Sequence, residues 1–146
     1  MSTLTRRRNP QARDESWRIY FGDIEAGAIS KRVGNPFGTA EWQWFCGFYP
    51  GCHPDEQVIG TAPTFEQARQ SFEAAWTTFV SRRSPADFED WRRHHAFTVW
   101  KYAMWDAGCR MPTQNDSGRS RCFCRTPIDL RTVEPHIYSC HMATPR

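Results

Sequence analysis

The chain lacks any apolar run long enough to cross a bilayer; its longest, such as Phe45–Tyr49, falls far short of the roughly 20 residues a spanning helix needs. Its first stretch, MSTLTRRRNPQARDES, has basic residues with no apolar segment after them, so no secretory signal is visible. No membrane association is expected, and a cytoplasmic, reducing compartment is. There the six cysteines would bind metal or stay buried as thiols rather than form a disulfide framework. Also missing are a carboxylate pair, a nucleophile motif and a phosphate loop. VGNPFG and GDIEAG have neither the P-loop lysine nor a strand-to-helix setting. An enzyme is therefore the minority reading, and a metal- or thiol-dependent one is its remaining form. No internal repeat occurs.

What is present is aromatic bulk: seven Trp, ten Phe and four Tyr in 146 residues, enough for one core-bearing domain or a small domain with an appendage. The formal charge of +3 is uneven. Residues 1–13 carry four arginines and no acid, residues 14–108 hold nine basic against thirteen acidic side chains, and residues 109–146 hold six arginines against three acids. Basic ends suit contact with phosphates; solvation of flexible termini is the plainer alternative.

Residues 1–15, Arg-rich and broken by Pro10, read as a disordered basic arm, and removal of residues 1–13 would leave stability nearly unchanged. Residues 16–108 read as an α+β core domain. WRIYF and AISKRV are short β-type runs around a loop containing Gly22 and Gly27. After the turn-rich VGNPFGT comes EWQWFCGFY, with Trp42, Trp44, Cys46 and Phe48 on one face at period two and Gln43, Phe45, Gly47 and Tyr49 on the other. Both faces are largely apolar, which predicts a central strand. VIGTA is a further short strand.

Two helices follow. In TFEQARQSFEAAWTTFVSRR, Thr64 and Gln67 are placed for a capping box, and Phe65, Ala68, Phe72, Ala75, Trp76, Phe79 and Val80 make one apolar stripe to lie on the sheet. SPADFEDWRR opens the second, with Ser84 as N-cap and Pro85 first, running to Ala107 with Gly108 as its stop. Phe88, Trp91, His95, Val99 and Tyr102 form its stripe, widened by Trp100, Met104 and Trp105. The expected fold is a small antiparallel sheet of three to four strands covered by two C-terminal helices, then a short zinc-finger-like tail over residues 109–146.

That tail concentrates the chemistry. Metal binding needs thiolates and imidazoles converging on one point, four of them for structural zinc. Cys122 and Cys124 are one residue apart, tighter than the usual two to four, and eleven residues separate Cys124 from His136. With a helix from about Thr132, His136 is joined by Cys140 four residues on, or by His141 if the last turn is irregular. The expected ligands of one Zn²⁺ are Cys122, Cys124, His136 and His141, with Cys140 as the alternative fourth; free thiols and a local disulfide compete. The segment has few apolar residues, so a metal staple would help it fold. Cys109 is a reserve ligand placed in a loop. Cys52 and His53 are too few for a second site, and Cys46 beside Trp42 and Trp44 reads as a small buried hydrophobe. His94 and His95 point about 100° apart on a helix, one to pack and one to be solvated.

Arg6, Arg7 and Arg8 at one end and Arg119, Arg121 and Arg125 at the other are candidate contacts to DNA or RNA, since arginine near aromatics suits phosphates and bases. The segment PGCHPDEQVIGTAPTFEQARQSFEAAW resembles the central signature of HicB-like antitoxins, in which a Pro-Gly-Cys turn and a Gly-x-Thr step precede an amphipathic helix. Pro50-Gly51-Cys52 and Thr64 through Ala75 carry the likeness. The chain departs from that pattern by a longer gap before the helix, by two upstream strands with no helix between them, and by the Cys/His tail. The resemblance implies a toxin partner or DNA binding. Taken whole, GFYPG, TFEQAR, FEAAW, DFEDWR and the Cys-Phe-Cys tail are similar to a group of small uncharacterised alphaproteobacterial proteins, which implies no activity. Two functions are thus expected to compete: a non-enzymatic zinc-containing module that docks on nucleic acid, and a protein-interaction adaptor with a protein partner.

Overall fold

The computed structural model describes residues 4–32 and 40–142, so the expected VGNPFGT turn lies outside the described residues. The fold is α+β and divides into two compact units, Met1–Trp91 and Arg92–Arg146. Among the described residues no helix is long and apolar enough to cross a membrane.

The first unit is a five-stranded antiparallel sheet in sequence order: β1 (Leu4–Arg8), β2 (Ser16–Phe21), β3 (Ile24–Lys31), β4 (Trp42–Cys46) and β5 (Val58–Ala62). As expected, β4 is internal. Trp42, Trp44 and Cys46 alternate into the core while Gln43 is exposed and Phe45 half-buried. Helix α1 (Phe65–Ser81) covers that face with Ala68, Phe72, Trp76 and Phe79. Thr64 Oγ1 accepts from the Gln67 amide at 3.2 Å, the first half of the expected capping box. Trp42, Trp44, Phe72, Trp76 and Phe79 share one buried cluster, in which the Trp76 and Phe79 rings stack at 5.5 Å.

Residues 4–8 correct the expectation of a disordered arm. They form β1, paired in register from Leu4 with Phe21 to Arg8 with Trp17. Arginine does here what an apolar residue would do elsewhere, because its stem and planar head cover rings while the charge stays wet. Arg6 lies over Trp17 and Phe65 at 4.6 and 4.9 Å, and Arg7 lies over Tyr20 at 4.9 Å. Gly27 is likewise not in a loop. It sits inside β3 at φ 153°, beside the register shift at Ile19/Tyr20, and a Cβ there would meet the Phe45 carbonyl oxygen at 2.0 Å.

Helix α2 (Pro85–Asp106) matches its expected bounds but not its expected stripe. Trp91 and half-buried Phe88 belong to the first unit's core, whereas Ala96, Trp100 and Met104 belong to the core of the second. The helix thus serves two cores, and no single stripe runs its length. Val99, Tyr102 and Trp105, expected inside, are exposed, and so are both His94 and His95. The helix ends where expected. Gly108 at φ 70° donates to Trp105 O at 3.0 Å and Cys109 N to Met104 O at 2.9 Å, the paired bonds of a Schellman motif.

The boundary expected at residue 108 therefore moves to residue 91, because the second half of α2 supplies the tail's core. Trp100 and Met104 pack with Cys122, Ile128 and Ile137. A ribbon of β6 (Arg119–Arg121) and β7 (Pro127–Asp129) and helix α3 (Val133–Cys140) complete the unit. The tail is thus less dependent on a staple than its own composition suggests.

Candidate metal centre

The β6–β7 connection builds the thiol half of the site. Cys122 N donates to Thr126 O at 3.0 Å and Arg125 N to Cys122 O at 2.8 Å, closing a tight knuckle in which Arg125 takes φ 74°. Backbone amides reach both sulfurs, that of Cys124 to Cys122 and that of Thr126 to Cys124. The one-residue spacing thus brings both thiols to the same side of the turn.

Helix α3 builds the imidazole half. Asp129 Oδ1 accepts from the amides of Arg131 and Thr132 at 2.8 and 2.9 Å, ordering the entry to the helix. His136 is buried in its middle. His141 follows the last helical residue at φ −126° and ψ −2°, with its amide on Ile137 O, and this departure from helical values turns its ring back toward His136.

One ligand atom from each of Cys122, Cys124, His136 and His141 lies within 4.8 Å of all the others. The closest pairs are His136 Nε2 with His141 Nε2 at 3.1 Å, Cys122 Sγ with His141 Nε2 at 3.3 Å and Cys124 Sγ with His136 Nε2 at 3.5 Å. A tetrahedron with Zn–S near 2.3 Å and Zn–N near 2.0–2.1 Å has edges of about 3.3 Å between nitrogens and about 3.5 Å between sulfur and nitrogen. These three pairs match such edges, and the four residues lie close enough together to hold a metal ion. Among the described residues this is the one group of three or more such ligands.

The surroundings tune the donors. Burial pushes the Cys122 thiol up, opposed by the Cys124 amide and the indole of Trp100, whose Nε1 donates to Cys122 Sγ at 3.3 Å. The exposed Cys124 thiol is lowered, first by the Thr126 hydroxyl 3.3 Å away and then by the Thr126 amide. His141 is lowered by burial and by the neighbouring His136. A dication here would favour the thiolate and the neutral imidazole, the forms that bind metal.

Cys140 is not part of the group; it is exposed, with Sγ 3.5 Å from Ser139 Oγ. Cys109 packs against the second core, and Cys52 directs its thiol to Phe48 O at 2.6 Å. Cys46 is fully buried, as expected of a small hydrophobe, and its thiol is pushed up to about 12 by desolvation. Of the arginines, Arg119 and Arg121 lie exposed on β6, Arg125 is exposed at the knuckle, and Arg6, Arg7 and Arg8 are exposed along β1. Trp100 escaped sequence reasoning, since a helix tryptophan gives no sign that its N–H will meet a thiol 22 residues away. Phe123 was also missed; it is exposed between the two cysteines, its ring 4.8 Å from that of His141.

Compared with protein-family models, curated proteins and solved structures, the chain shows no match.

Proposed function

We propose that Cys122, Cys124, His136 and His141 hold one structural Zn²⁺, and that the chain is a non-enzymatic module using the metal-braced knuckle to contact nucleic acid. The convergence of two sulfurs and two imidazole nitrogens within 4.8 Å carries the metal reading. Four protein ligands complete a zinc coordination shell and leave no position for a reactive water, which makes the site structural rather than catalytic. Mixed sulfur and nitrogen ligands suit zinc better than calcium or magnesium, which take oxygen.

The nucleic-acid part rests on what surrounds the knuckle. Arg121 and Arg125 flank an exposed aromatic, Phe123, and Arg119 precedes them on the same strand. Cations beside a part-exposed ring offer phosphate contact and base stacking together, which favours a single strand over a duplex. Exposed Arg7 and Arg8 on β1 are further phosphate contacts in this reading.

Metal analysis of untagged protein tests the first part: one zinc per chain is expected, and none in the Cys122→Ser, Cys124→Ser double variant. Anisotropy titrations against single- and double-stranded oligonucleotides test the second. Affinity should fall steeply with salt, and Arg121→Ala or Arg125→Ala should each reduce the salt slope by about 1. Failure to bind any oligonucleotide at low salt rejects the nucleic-acid reading and leaves the metal reading intact.

A further inference from the structure

One row of register partners crosses all five strands of the first unit's sheet: Arg7, Arg18, Ala28, Phe45 and Ile59. Side chains alternate between the two faces of a sheet, so this row lies on the face opposite the neighbouring row that holds Ile29 and Trp44. Ile29 and Trp44 are buried in the core that α1 covers, and the arginine row therefore faces away from that helix. Arg7, Arg18 and Ile59 are exposed, and Phe45 is half-buried.

Two like charges directly opposite each other on one sheet face destabilise the pairing, and an anion lying between them removes that cost. Among the described residues neither arginine has an acidic partner. The ion pairs join Arg69 to Glu66 and Glu73, and Arg83 to Glu56. Glu25, the register partner of Tyr20, pairs with neither arginine. Arg7 rests instead on the Tyr20 ring, 4.9 Å from its centroid, which sets cation and aromatic side by side. Adjacent guanidiniums with unused donors suit a phosphate, which accepts from their planar N–H groups.

Beyond the arginines the row is uncharged, passing through the part-exposed ring of Phe45 to exposed Ile59. Cations at one end and aromatic, apolar surface at the other match the two halves of a nucleotide, its phosphate and its base. A free strand can present both. A duplex keeps its base faces stacked inside, and five strands about 4.8 Å apart span about 19 Å, wider than the roughly 12 Å major groove.

We propose that the face of the first unit's sheet turned away from α1 binds single-stranded nucleic acid, with Arg7 and Arg18 on phosphates and Tyr20 and Phe45 against bases. This surface is separate from the knuckle and needs no metal.

Anisotropy titration of a labelled oligothymidylate with the untagged full chain, over a range of salt, tests this. Arg7→Ala and Arg18→Ala should each reduce the salt slope by about 0.7, the value for one phosphate contact on a single strand. Arg82→Ala removes the same charge from the exposed C-cap of α1 and should leave the slope unchanged. Phe45→Leu keeps an apolar side chain without the ring and should weaken binding about fivefold or more. Arg18 is exposed and unpaired, so circular dichroism of Arg18→Ala should match the parent. These effects should persist in the Cys122→Ser, Cys124→Ser double variant. Slopes unchanged in Arg7→Ala and Arg18→Ala overturn the proposal, as does an equal loss in Arg82→Ala, which would mark diffuse charge. Equally tight binding of the duplex with oligoadenylate overturns it too. Capture on phosphatidylserine vesicles through Arg18 without oligonucleotide binding assigns the face to a lipid surface and rejects it. Slopes that respond to Arg7 and Arg18 but not to Arg121 or Arg125 reject the knuckle contact alone, and the reverse rejects this proposal alone.

Discussion

Trp100 donates its indole N–H to the sulfur of Cys122 at 3.3 Å, joining the middle of α2 to the Cys122–Cys124 knuckle. The ring also fills the second unit's core, where it is almost wholly buried. One side chain thus serves packing and ligand tuning. Phenylalanine at this position separates the roles by keeping most of the bulk and removing the donor. Trp100→Phe should stay folded but bind zinc about 10–100-fold more weakly, as loss of an outer-shell partner does. Competition with a chromophoric chelator measures this, and an unchanged affinity would show that the bond leaves metal binding untouched.

In the first unit, Trp76 occupies the centre of the face that α1 lays on the sheet, against Phe21, Phe48 and Phe79. Trp76→Ala should cost about 3–5 kcal/mol, through lost burial and a cavity that neighbouring rings cannot close. Denaturant titration reads the change. A loss near zero would mean that α1 presents another face.

Removal of residues 1–9 should now destabilise the protein, contrary to what a basic arm would do. Five paired positions of β1 are lost, and with them the Arg6 and Arg7 ring contacts. Five cross-strand pairs at about 0.2–1 kcal/mol each and two exposed cation–π contacts at about 0.5–1 kcal/mol each give a loss of about 2–7 kcal/mol. An unchanged melting temperature would show β1 to be dispensable.

β4 and α1 were legible because each buries one face against one partner, so the spacing of Trp42, Trp44 and Cys46, and of Ala68, Phe72, Trp76 and Phe79, carries the whole signal. α2 defeats the same logic: its two halves serve different cores, and its exposed aromatics mimic a buried stripe. β1 was hidden because arginine counts as polar in any composition measure, although its stem packs on rings. β6 and β7 are three residues each, too short to show a period. At the candidate metal site, residue types alone narrowed the possible ligands to five. That His141 rather than Cys140 lies in the group follows from the backbone turn after α3, which local sequence does not specify.

Glu56 gives a pH dependence whose sign follows from its partners. The His53 amide donates to it at 3.1 Å, the Arg83 guanidinium pairs with it, and together they hold its carboxyl below the ordinary 4.5. A carboxylate depressed in the folded state stabilises above its unfolded pKa, and that stabilisation disappears as pH falls through the folded value. Stability should therefore drop below about pH 4.5 in part through this group. In Glu56→Gln the melting temperature should be lower at pH 7 and converge on that of the parent as the solution is acidified. Parallel curves at all pH values would remove Glu56 from the acid transition.

Metal removal should act on the second unit in a graded way. Without an ion the buried Cys122 and His136 lose their common partner, and two imidazole nitrogens remain 3.1 Å apart with little to hold them there. Yet Trp100, Met104, Ile128 and Ile137 still form an apolar core, so the unit should loosen from the knuckle outward rather than unfold. Hydrogen exchange with and without chelator reads this amide by amide. Cys122 N, Arg125 N and His141 N, which close the knuckle and the end of α3, should lose protection first. Amides pairing β3 with β4 lie in the other unit and should be unaffected. Metal binding adds folding free energy to the structure that assembles its ligands, so the effect should map onto residues 119–142. Uniform loss of protection across both units would show one cooperative fold, and no change anywhere would show that the four residues hold no ion.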